Sequence, residues 1–91
     1  MKQLERLLKG LANRRRLAII KLLTRHKELP VASIADRIRL SFTSTSKHLS
    51  LLRNLDIVDR RQENLTVYYR LAEPPPLVLK LLLSAISNSR E

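Results

Sequence analysis

The stretch Pro30-Val31-Ala32-Ser33-Ile34-Ala35-Asp36-Arg37-Ile38-Arg39-Leu40-Ser41-Phe42-Thr43-Ser44-Thr45-Ser46-Lys47-His48-Leu49-Ser50-Leu51-Leu52-Arg53-Asn54-Leu55 decides the fold. Val31, Ile34, Ala35 and Ile38 recur at i, i+3, i+4 and i+7, the spacing that gathers side chains on one face of a helix, which predicts a short helix over about 31–38. Pro30 suits its first turn, where a missing N–H is harmless. Arg39-Leu40-Ser41 is a tight break, and Ser41 is placed to cap a second helix with Thr45, Leu49 and Leu52 on its apolar side and Leu55 near its end. The opposite face holds Thr43, Ser46, Lys47, Ser50 and Asn54, spaced i, i+3, i+4, i+7 and i+11. A whole helix face is thus made of short polar side chains with one cation, which lets the backbone come close to another molecule.

Upstream, Leu4, Leu7, Leu8 and Leu11 show the same helical period, so a first helix is expected over roughly 2–11. Gly10, the sole glycine, and Asn13 punctuate it. Asn13 can cap a second helix running to about Arg25, which carries Leu17, Ala18, Ile19, Ile20, Leu22 and Leu23. Arg14, Arg15 and Arg16 then occupy its first turn, where the helix dipole disfavours cations; local rules broken in this way often mark function. Downstream the period becomes alternating, from Ile57 to Gln62 and from Leu65 to Leu71, with Glu63-Asn64 as the turn between two strands. Asn64 tolerates the positive φ such a turn can require, and β-branched and aromatic residues fill the second strand. Pro74-Pro75-Pro76 then starts a last helix, Leu77 to about Asn88, whose polar stripe is only Lys80, Ser84 and Ser87. The expected architecture is mainly α with a β-hairpin, in the order α-α-α-α-β-β-α. That is a winged helix-turn-helix in one domain over 1–91, with the helix-turn-helix at about 31–55 and the wing at about 57–71.

The chain has 91 residues, 18 Lys and Arg against 8 Asp and Glu, a net charge of +10, 44% hydrophobic residues and no cysteine. It is too apolar for a disordered basic tail, and its longest apolar stretch, Leu77 to Ile86, is shorter than the ~20 residues that cross a bilayer. No signal-peptide core follows Met1, so a cytoplasmic, membrane-free protein is expected. Without cysteine there is no disulfide framework, thiolate zinc site, iron–sulfur cluster or thiol catalysis. The charge is uneven: residues 1–27 carry +8, residues 36–70 only +3, and residues 71–91 balance. Such a field attracts phosphate-bearing partners without choosing among DNA, RNA and an anionic surface.

Two segments, Leu8-Lys9-Gly10-Leu11-Ala12-Asn13-Arg14-Arg15-Arg16-Leu17-Ala18-Ile19-Ile20-Lys21-Leu22-Leu23 and Leu40 to Arg53, together with the wing Val67-Tyr68-Tyr69-Arg70-Leu71, resemble the ArsR-type family of winged helix-turn-helix transcriptional regulators. The resemblance covers nearly the entire chain. It implies a homodimeric bacterial or archaeal repressor, joined through its first and last helices (about 2–11 and 76–88), on an operator with inverted symmetry. Metal-sensing members place cysteines at the positions held here by Pro30 and Ala32, and the last helix has no His or Asp and only the terminal Glu91. The resemblance is therefore to a member that senses no metal. Arg39 and Asp56 stand at turn positions where many relatives have glycine.

Double-stranded DNA is the expected partner, because a major groove about 12 Å wide admits one helix and short polar side chains reach base edges there. Lys47 is the leading candidate for a guanine or a phosphate, with Thr43, Ser46 and Ser50 as hydrogen-bonding neighbours. Phe42 either touches a thymine methyl or packs on the preceding helix. Arg60, Arg61 and Asn64 belong to the wing and Arg14, Arg15 and Arg16 to the second helix; of Arg60 and Arg61 one faces away, since strand neighbours alternate. His48 is read as a hydrogen-bonded structural residue. No cofactor and no metal are expected: two distant histidines fall short of the three or four ligands of a zinc site. Catalysis is excluded as well, because Ser50, His48 and Asp56 do not face one another. The last helix is apolar nearly all round and so needs two partners, its own domain and a second copy. Leu4, Leu7, Leu8, Leu11, Leu79, Leu82, Leu83 and Ile86 are the candidate homodimer contacts. A sequence-tolerant DNA-coating or chromatin-like protein, an RNA binder and a protein-binding winged-helix adaptor are the competing readings.

Overall fold

The computed structural model describes Met1–Asn88; Glu91 and the side chain of Ser87, both weighed above, lie outside the described residues. Five helices and three short strands follow in the order α1 (Lys2–Leu11), α2 (Arg14–Arg25), β1 (Leu29–Pro30), α3 (Val31–Ile38), α4 (Phe42–Asn54), β2 (Val58–Glu63), β3 (Thr66–Leu71) and α5 (Leu77–Ser87). This is the mainly helical winged helix-turn-helix that the periodicities predict. The two caps form as their chemistry requires. Asn13 accepts from the amides of Arg15 and Arg16, and Ser41 accepts from the amide of Ser44, so donors with no intrahelical partner are satisfied at α2 and α4.

Three local expectations change. Pro30 lies outside α3 as its N-cap, with φ −70° and ψ 151°. The extended backbone at Leu29–Pro30 forms a third strand, which pairs antiparallel with β3 at Leu29↔Tyr69 and Pro30↔Tyr68. Two residues are too few to show a period, and so β1 left no trace in the pattern. The hairpin turn is Asn64-Leu65 rather than Glu63-Asn64, since Glu63 pairs with Thr66; Asn64 has the positive φ, 55°. Arg39 and Asp56 also take positive φ, 57° and 58°, a conformation that costs non-glycine residues roughly 1–2 kcal/mol. At Arg39 it closes the end of α3: the Arg39 amide donates to Asp36 O at 3.2 Å and the Leu40 amide to Ala35 O at 3.0 Å.

One core lies between α2, α3, α4, the sheet and α5, and Ile19, Ile20, Ile34, Leu49, Leu52, Ile57 and Leu79 are fully buried in it. The apolar faces of α3 and α4 are the ones their spacing indicates. Gly10 lets α1 lie close to the C-terminal end of α4, because a methyl group there would overlap the side chain of Leu55. No described helix is long and apolar enough to cross a membrane.

Candidate nucleic-acid interface

Burial of Thr45, Leu49 and Leu52 fixes the rotation of α4, so the opposite face is presented outward. Phe42, Thr43, Ser46, Lys47, Ser50 and Asn54 line an open concavity of about 480 Å³ together with Leu51. Phe42 is 59% exposed, so it stands on this face instead of packing inward. Asn54, one helical turn beyond Ser50, extends the polar row as its spacing predicts. A second concavity of about 310 Å³ separates α4 from the wing, with Phe42, Ser46 and Ser50 on one wall and Arg60, Leu65, Thr66 and Val67 on the other.

The register of the wing resolves its two arginines. Arg60 opposes Tyr69 and Arg61 opposes Tyr68; residues directly opposite share a face, and Tyr69 is buried. Arg60 therefore stands on the face turned toward α4. Arg61 lies on the far face, 4.4 Å above the Tyr68 ring, and donates to Glu28 and, at 3.1 Å, to Glu63. The Arg61 hydrogen bond holds the Glu28 carboxyl below its ordinary pKa, and Glu28 and Glu63 push the guanidinium further up. Arg61 is thus engaged in bracing the wing against the β1 approach, which departs from its expected place at DNA. Asn64 is at the wing tip with Leu65, 96% exposed. Leu65 is a tip residue that the one-residue error in the turn concealed.

Arg14 and Arg15 are exposed, whereas Arg16 turns inward. Arg16 Nε donates to Gly10 O, Nη2 to Lys9 O at 3.4 Å and Nη1 to His48 Nδ1 at 3.3 Å. The guanidinium has no acceptor lone pair, so His48 accepts through a bare Nδ1 and is neutral in this arrangement. Burial, then Arg16 and Arg15, hold its pKa below the ordinary 6.5. Arg16 is a positioning residue, which corrects its assignment to a direct DNA contact, and His48 has the structural role its spacing suggests.

On the apolar side, Leu4 and Leu8 of α1 are exposed, as are Leu77 and Leu81 of α5, the last two at 74% and 70%. Leu11 and Leu79 are buried in the core of the protomer itself and so are removed from the candidate dimer contacts. Leu7, Leu82, Leu83 and Ile86 are half-buried against that core. No cluster of three or more potential metal ligands occurs among the described residues.

Residues 13–60, which span α2 to the start of the wing, match the family described as bacterial regulatory protein, arsR family. The chain is 42% identical over 66 residues to the transcriptional activator HlyU of Vibrio cholerae, covering 72% of this chain and 60% of that protein. It is 36% identical over 75 residues to the nodulation protein NolR of Rhizobium meliloti, covering 82% and 59%. The match therefore spans about three fifths of these curated relatives. Among solved structures, HlyU from Vibrio cholerae superposes with a TM-score of 0.78 at 34% identity, over 93% of this chain and 88% of that one. The homodimeric winged helix-turn-helix DNA-binding domain of a possible ArsR-family transcriptional regulator from Mycobacterium bovis superposes with a TM-score of 0.81 at 33% identity, over 96% and 80%. The matched family is one of regulatory proteins rather than enzymes, and HlyU is a transcriptional activator. The chain belongs to the arsR family of bacterial regulatory proteins, and α3, α4 and the wing are its winged helix-turn-helix DNA-binding fold.

Proposed function

We propose that the chain is a cytoplasmic, sequence-specific regulator that binds double-stranded DNA as a homodimer on an inverted-repeat operator and represses by occupying a promoter, without metal or cofactor. The observation that carries the reading is the outward face of α4, where Phe42, Thr43, Ser46, Lys47, Ser50 and Asn54 are presented together beside a wing that turns Arg60 toward them. Thr43, Ser46, Lys47 and Ser50 read base edges, Phe42 meets a thymine methyl, and Arg60, Asn64, Arg14 and Arg15 hold phosphates. Leu4 and Leu8 of one copy meet Leu77 and Leu81 of another, which covers apolar surface that one protomer leaves open. Repression is what the family resemblance implies, whereas the relative HlyU is a transcriptional activator.

The test is selection from a pool of random duplexes at two salt concentrations. An enriched inverted repeat with half-site centres about 10 bp apart is the expected outcome. Salt-sensitive binding with no enriched motif would overturn it in favour of a sequence-tolerant coating protein. That second reading draws on the concentration of +8 in residues 1–27, away from the reading face.

A further inference from the structure

A concavity of about 430 Å³ lies between α2 and the end of α3, and five cations line it: Arg14, Arg15, Lys21, Arg25 and Arg37. Among the described residues, no carboxylate does. The ion pairs among the described residues join Glu5 to Lys9 and Glu28 and Glu63 to Arg61, so none neutralises any of the five. Folding alone disfavours this arrangement. Arg14 and Arg15 sit at the positive end of the α2 dipole, and Lys21 and Arg25 are like charges at i, i+4. Arg14, Lys21 and Arg25, at i, i+7 and i+11, form one stripe about 16 Å long, which is too long for a single small anion and suits a run of phosphates. Arg15 Nη1 donates to Ile38 O at 3.3 Å, which fixes the start of α2 to the last residue of α3, immediately before the turn into α4. In a helix-turn-helix the first helix crosses the sugar-phosphate backbone while the second enters the groove. The Arg15 bond therefore ties the cationic stripe to the helix that takes the backbone-crossing place in such a fold.

We propose that this α2–α3 groove is a second phosphate-binding surface, which grips the backbone of the same duplex beyond the bases read by α4; the proposal rests on the DNA-binding reading above. Lys21, Arg25 and Arg37 are the contacts it adds. The test uses the full chain with Lys21→Gln, Arg25→Gln and Arg37→Gln combined. Affinity is measured across a salt series for the selected duplex trimmed to its motif and for the same duplex with ten flanking base pairs on each side. On the long duplex the variant is expected to lose about tenfold or more in affinity and about 5 units of salt slope, three cations in each of two copies. On the trimmed duplex it stays close to the parent, and its preference for the motif over a scrambled sequence is unchanged. An unaltered slope on the long duplex, with the parent still selecting its motif, overturns the second surface and leaves the DNA reading standing. A parent that binds no duplex overturns both. Inorganic tripolyphosphate that raises the melting temperature of the parent but not of the variant, with duplex slopes equal, would assign the groove to a soluble anion and overturn the proposal. Arg25→Gln alone, at the exposed end of α2, gives the same readout at about two units of slope, one from each copy, if the combined variant fails to fold.

Discussion

Thr45 is fully buried in α4, and its hydroxyl has no hydrogen-bond partner. A buried polar group without a partner costs about 1–3 kcal/mol relative to one that is satisfied, and valine has nearly the same shape. Thr45→Val is therefore expected to stabilise the fold by about 1 kcal/mol in urea unfolding; a loss of stability would show that the hydroxyl is satisfied in solution. His48 makes the opposite kind of statement, through pH. Its folded-state pKa lies below 6.5, so below that pH the unfolded chain binds a proton that the native chain refuses. Stability is fully present above about 6.5 and declines as pH falls through that value toward the folded pKa. Melting temperatures from pH 8 to pH 5 should show this fall, and His48→Gln should flatten it. An unchanged profile in the variant would sink the assignment.

At the level of elements, the wing separates two arginines that are adjacent in sequence. Arg60→Ala is expected to lower the salt slope of duplex binding by about two units, one from each copy. Arg61→Ala should leave that slope unchanged and weaken the packing of the wing, read as faster amide exchange in β2; equal slope losses would contradict the assignment. Spacing alone showed that the two must diverge, but the choice between them depends on Glu28, whose partnership with Arg61 crosses 33 positions of sequence and leaves no local signature. The core helices were legible because burial imposes a period, which the Val31, Ile34, Ala35 and Ile38 set in α3 displays plainly. Strand β1 was not, since two residues carry no period. The inward turn of Arg16 was hidden for another reason: three consecutive arginines look alike in sequence, and only the end of α1 and the flank of α4 tell them apart. Among the apolar residues, Leu79 and Leu81 are equally hydrophobic, and only the third dimension assigns one to the core and one to the surface.

The described residues extend about 37 Å in their longest dimension, close to the ~34 Å of one DNA turn, and among them α4 is the one helix proposed to read bases. Two heads one turn apart therefore require two copies. Leu8→Glu with Leu81→Glu is expected to give a monomer in sedimentation, with a melting temperature near that of the parent and no preference for an inverted repeat over a single half-site. A variant that still sediments as a dimer would show that the interface lies elsewhere. Leu79→Ala, inside the protomer, should instead lose about 2–5 kcal/mol of folding stability. The Arg16 side chain acquires a mechanical meaning in such a pair. It clasps the Lys9 and Gly10 carbonyls of α1 and the flank of α4 in one grip, a rivet by which, in the proposed dimer, the two helices would be carried as one piece.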